Sequence, residues 1–108
     1  MKRDIREVAG DLEEGIVLID GDVLPLEPSL KVRNHSPSGF SWGYGGSGPA
    51  QLSLAILLEV YDREIAERYY QNFKWDVIAR LPRADFRVAM DFTTIPPRIV
   101  ENKKGVKA

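Results

Sequence analysis

The chain has 108 residues, with 15 Lys and Arg against 16 Asp and Glu, and a length near one hundred fits a single domain able to bury a core without staples. No cysteine and one histidine exclude a disulfide framework, thiolate zinc, iron–sulfur clusters, a Cys nucleophile and any site needing two imidazoles. No apolar run approaches the roughly 20 residues of a spanning helix, and Met1-Lys2-Arg3-Asp4 leads into no signal-type stretch, so no membrane association and a cytoplasmic location are expected.

Residues 1–14 are charge-rich and fit two patterns. Ile5, Val8 and Leu12 make a helical stripe, while Ile5-Arg6-Glu7-Val8 also suits a short edge strand. Ile16-Val17-Leu18-Ile19 is a β-branched run, and the following Asp20-Gly21 predicts a hairpin, because a type I′ turn needs positive φ at both central residues. Pro25 and Pro28 then end regular pairing, and Leu30-Lys31-Val32-Arg33 alternates as a further short strand would. Asn34 to Gly48 is a loop rich in Ser, Pro and Gly but interleaved with Phe40, Trp42 and Tyr44, which a flexible linker lacks.

A helix is expected from Gly48-Pro49, with Ser47 or Gly48 as its cap and Gln51 reaching back towards it. Leu52 to Tyr61 is apolar nearly all round, the pattern of a buried helix. Asp62 can cap a second helix running to about Arg80 and stopped by Leu81-Pro82. A 100° wheel places Ala66, Tyr69, Tyr70, Phe73 and Val77 on one face and Glu64, Glu67, Arg68 and Gln71 opposite. Trp75 falls among the polar residues: either it buries the end of the helix on a different side, or its ring is exposed to a partner. Asp85 to Met90 alternates as a half-buried strand, Thr94 to Pro97 is extended, and Glu101 to Ala108 is expected to be a disordered tail after a single domain over 1–100. These elements predict an α+β domain: an N-terminal hairpin or meander, a Gly-rich loop, two packed antiparallel helices and a C-terminal strand returning to the sheet.

Five of the nine glycines lie between Gly39 and Gly48. Gly43, Gly45 and Gly48 formally match the dinucleotide fingerprint, but a helix follows the helix where that fold needs a second parallel strand. Gly43 to Gly48 has P-loop spacing, but Pro49-Ala50 stands where the phosphate-binding Lys and the magnesium-binding hydroxyl belong. Two general readings stay open. In one, glycines admit a ligand close to the backbone, free N–H groups at the helix start favour an anion, Arg33, Asn34 and His35 donate, and Trp42 and Tyr44 stack a base or sugar. In the other, the loop is a tight turn with Phe40, Trp42 and Tyr44 as core plugs. Catalysis by His35 would need a cleft and a carboxylate; otherwise it is a turn residue. Glu13-Glu14 and Glu64/Glu67 read as solvated surface, and the net charge of −1 does not favour nucleic acid, only Lys31-Arg33 and the tail residues Lys103, Lys104 and Lys107 being locally basic.

The run Arg33-Asn34-His35-Ser36-Pro37-Ser38-Gly39-Phe40-Ser41-Trp42-Gly43-Tyr44-Gly45-Gly46-Ser47-Gly48-Pro49-Ala50-Gln51-Leu52 resembles an uncharacterised family of small archaeal, bacterial and phage proteins with the signature RNHSPxGFxWGYGGSGPAQLALAIL. Tyr70-Gln71-Asn72-Phe73-Lys74-Trp75-Asp76-Val77-Ile78-Ala79-Arg80-Leu81-Pro82 is similar to that family's YQxFKxxVxAxLP segment. Ser41 and Ser53 depart from it, standing where an acid and an Ala are expected. The resemblance implies a shared fold centred on the glycine loop, carries no activity, and suggests that Lys74 and Trp75 share a surface with that loop.

The expected function is a small non-catalytic binding module that holds an anionic or nucleotide-like group through Arg33, Asn34, His35, Trp42, Tyr44, Gly45, Gly46, Ser47 and Gln51. The alternative is an accessory protein that engages a partner protein through Lys74 and Trp75, with the loop purely structural; an enzyme using His35 is a third. No cofactor and no metal are expected, and the oligomeric state is left open.

Overall fold

The computed structural model describes residues 3–104. Strands β1 (Ile5–Asp11), β2 (Ile16–Ile19) and β3 (Asp22–Val23) form an antiparallel meander, and β4 (Phe86–Asp91) and β5 (Arg98–Lys104) complete a sheet of order β3-β2-β1-β4-β5. The Asp20-Gly21 turn takes φ of 50° and 85°, the double positive φ that its sequence requires. Charge-rich β1 is a central strand, not an edge strand or a helix. It pairs β2 through Val8↔Ile19 and β4 through Val8↔Val88, so Val8 is fully buried while Ile5 faces outward. A helix would have left both ladders without their middle strand.

Leu30 to Arg33 is not a strand. Residues Glu27–Val32 form a short helix, α1, with Pro28 in its first turn, where a missing N–H costs nothing. Helix α2 (Ser47–Val60) is capped by Gly46, one residue before the expected Ser47 or Gly48, and Gly48 to Leu57 are all buried, as the apolar wheel requires. Helix α3 (Arg63–Asp76) starts at the expected Asp62, whose carboxylate accepts from the Ile65 N–H at 2.9 Å. It stops before Arg80, because Val77 leaves helical geometry and a 3₁₀ turn, Ile78–Arg80, follows.

The helices lie on one face of the sheet. Val8, Val17, Ile19, Phe86, Val88 and Met90 turn towards them and join Leu52, Leu54, Ile56, Leu57, Tyr70 and Phe73 in one core. The opposite sheet face leaves Ile16 and Val23 exposed. Strand β4 is more buried than alternation predicts, since pairing on both edges and the Arg3–Asp91 ion pair at 3.1 Å cover its outer side. The tail expected from Glu101 is corrected over 101–104, which belong to β5 and pair with β4 through Val88↔Asn102 and Ala89↔Glu101. Residues 105–108 lie outside the described residues.

Candidate functional site

Gln51 organises the polypeptide between α1 and the glycine loop. Its side chain is fully buried. The Oε1 atom accepts from the backbone N–H groups of His35 at 2.7 Å and Ser36 at 2.9 Å, and Nε2 donates to Ser29 Oγ at 2.8 Å and the Arg33 carbonyl at 3.0 Å. All four hydrogen-bonding positions of the amide are thereby filled. Gln51 does not reach back to its helix cap: its amide is taken up by Ser29 and the backbone of residues 33–36, and it fixes the entry to the loop. His35 is pinned on its other side, its Nε2 lying 2.9 Å from the Tyr70 hydroxyl on α3. Among the described residues no carboxylate lies within ion-pair distance of His35.

Trp42 is also a structural residue. It is fully buried, stacks edge-on to Phe86 with ring centroids 5.0 Å apart, and donates its indole N–H to the Ala84 carbonyl at 2.9 Å. A ring held this way cannot stack a ligand without leaving the core, so that part of the sequence reading is corrected. Phe40 is a core plug as well.

Beyond Trp42 the loop turns outward and builds a ledge. Tyr44 is 42% exposed and Trp75 is 56% exposed, and each lies against a glycine. A Cβ on Gly45 would clash with the Cη2–Cζ3 edge of Trp75, and one on Gly46 with the Cε2–Cδ2 edge of Tyr44. Only hydrogen at these two positions lets both rings come this close to the backbone. Each ring carries a cation. The Lys74 ammonium sits 4.3 Å from the Trp75 ring centroid, its stem buried along the helix, and the Arg83 guanidinium lies 4.7 Å from the Tyr44 centroid. Arg83 also donates to the Trp42 carbonyl at 3.3 Å, which ties it to the loop. Trp75 is therefore neither buried by the end of α3 nor a free ring; it is seated on the loop with its remaining surface in solvent.

Among the described residues, no acceptor within the protein takes a hydrogen bond from the backbone N–H groups of Tyr44, Gly45, Gly46, Ser47 or Gly48. The last two belong to the first turn of α2, where N–H groups have no intrahelical partner and carry partial positive charge. A polar groove of about 420 Å³ runs beside them, lined by Ser36, Ser38, Ser41, Tyr44, Ser47 and Gly48 on one wall and by Glu13 and Glu14 of the β1–β2 turn on the other. Arg33 and Asn34 are exposed and lie outside that lining.

The structure thus brings Tyr44, Gly45, Gly46, Ser47, Lys74 and Trp75 onto one surface and removes Trp42 and Gln51 from it. Arg83 is the member that sequence reasoning missed. It lies just past Leu81-Pro82 with no local pattern to mark it, and only the close pass of the 81–83 segment beside Gly43 puts it over Tyr44. Among the described residues no cluster of His, Asp and Glu is arranged to hold a metal ion.

The model of a family of unknown function, DUF6166, matches residues 8–97, a span that contains the loop, Trp75 and Arg83. The chain belongs to DUF6166. No curated protein and no solved structure matches it. Among the described residues of this DUF6166 chain, no helix is long and apolar enough to cross a membrane. The matched span stops one residue short of β5.

Proposed function

We propose that this DUF6166 chain is a non-catalytic binding module and that the glycine ledge holds an anionic group borne on a planar or sugar-like body. The observation that carries this reading is the pairing of two cation-bearing rings, Lys74 on Trp75 and Arg83 on Tyr44, against glycines whose N–H groups meet no acceptor among the described residues. An anion beside Gly45 and Gly46 would have those backbone donors and the Lys74 and Arg83 cations to partner it. The hydroxyl-rich groove next to Ser47 suits a sugar or polyol portion, and Glu13 and Glu14 confine the negative end of the ligand to the Arg83 side. His35 and Gln51 support the site by fixing the loop that precedes it.

The test is a titration of ¹⁵N-labelled protein with inorganic phosphate, a nucleoside monophosphate and a short oligonucleotide. The reading expects shifts in the amides of residues 44–48 and in the Trp75 indole N–H, weakened in Arg83→Gln. Unmoved resonances at millimolar ligand would refute it. A second reading, contact with a partner protein, is favoured by the residue types on the ledge, since Trp, Tyr and Arg dominate the energetics of protein interfaces. Affinity capture with the wild type and Trp75→Ala separates the two, because identical partner sets would remove the ledge from that role.

A further inference from the structure

The sheet has one long open edge, and a groove lies beside it. Among the described residues β5 pairs with β4 alone, so the outward backbone N–H and C=O groups of Arg98 to Lys104 have no ladder partner. Alongside runs a groove of about 390 Å³ between this edge and the end of α3, lined by Asp76, Val77, Arg80 and Leu81 on the helical side and by Arg98, Ile99 and Asn102 on the strand. Its floor is apolar: Val77 and Leu81 are buried, and Ile99 packs on the core. Its charge is positive, since Arg80 and Arg98 stand against the single carboxylate of Asp76. Neither arginine makes an ion pair among the described residues. In a chain with a net charge of −1 this is a local reversal of sign.

A strand edge beside a helix end is the arrangement that accepts an added strand. The edge supplies main-chain hydrogen bonds, and the groove takes alternate side chains. The excess of arginine selects the sign of what enters. We infer that β5 and the α3 end form a docking groove for an extended peptide segment of a partner protein, one in which apolar and acidic residues alternate. The apolar residues cover Val77, Leu81 and Ile99, the acidic ones on the other face meet Arg98, Arg80 adds positive charge at the rim of the groove, and the peptide backbone extends the sheet by one strand. This groove is separate from the glycine ledge and stands on different residues.

The probe is a blocked ten-residue peptide alternating Glu and Val, titrated into the ¹⁵N-labelled full chain beside its Lys/Val counterpart and two versions N-methylated at either set of alternate positions. Glu/Val peptide is expected to shift the amides of Arg98 to Asn102 and of Val77 to Leu81, and the Lys/Val peptide to leave them in place. One N-methylated version should fail to bind and the other should bind normally, because only alternate N–H groups of an added strand face the edge. Arg80→Glu and Arg98→Glu, both at exposed positions, should keep the dispersed spectrum of an intact fold and each weaken binding by roughly tenfold or more. Arg83→Gln should leave it unchanged, which separates this groove from the ledge. The inference is overturned by an unmoved β5 at millimolar Glu/Val peptide, by equal binding of both N-methylated versions, or by β5 shifts that depend on protein concentration alone, which would give the edge to a second copy of the chain.

Discussion

Replacing Gln51 by Leu tests whether one buried amide holds the entry to the glycine loop. The substitution keeps side-chain bulk and removes four hydrogen bonds at once. Ser29 Oγ keeps its own donation to the Leu26 carbonyl at 2.7 Å, so its loss is partial. The His35 and Ser36 N–H groups and the Arg33 carbonyl lose their partner, and each costs about 1–3 kcal/mol where it stays buried and unmade. These groups are only part-buried, and water reaching them recovers some of that sum. The expected loss is therefore about 3 kcal/mol, a large share of the roughly 5–15 kcal/mol that holds a domain of this size. Urea unfolding followed by far-UV circular dichroism should show a lower midpoint with an unchanged m-value. Amide exchange should quicken at residues 33–36 more than in β1 or α2. A loss below about 1 kcal/mol, or exchange that quickens evenly over the molecule, would refute the assignment of Gln51 as the anchor.

Gly45→Ala should push the Trp75 ring off the loop, read as a red shift of its fluorescence in a Trp42→Phe background, at a stability cost of only about 1 kcal/mol because the ring can swing into solvent. Gly10→Ala places a methyl group against Phe86 and Trp42 inside the core, and about 2–3 kcal/mol of destabilisation by chemical unfolding is expected, since neither ring has free space to enter. Asp91 accepts hydrogen bonds from Thr93 and Arg3, which hold its carboxyl below the ordinary aspartate range. The contribution to stability is present above the unfolded-state pKa near 4 and disappears as acid takes the pH down through the lower folded-state value. Asp91→Asn should accordingly lower stability at neutral and alkaline pH without changing the slope there, and flatten the acid limb of a stability–pH profile.

Local chemistry determined much of this protein from the sequence. Asp20-Gly21 set the hairpin because its φ values are accessible to few other pairs, Asp62 started α3 because its side chain can satisfy a first-turn N–H, and the nearly all-apolar wheel of α2 required burial over most of its length. Two runs of residues suggested an uncharacterised family, and the model of a family of unknown function matches residues 8–97. Where a segment's state depended on a distant neighbour, sequence was ambiguous or misleading. β1 is central because β2 and β4 flank it, and Glu101 to Lys104 are strand because β4 offers them a ladder, although Glu-Asn-Lys-Lys has little β preference of its own. The site divides along the same line. The glycines, the rings and Lys74 were visible in the chain. The tertiary structure alone decided that Trp42 goes inward to Ala84, that Gln51 turns to the backbone of His35 and Ser36, and that Arg83 comes to rest on Tyr44. Whether an aromatic ring is a plug or a platform depends on what covers it, and that is a property of packing.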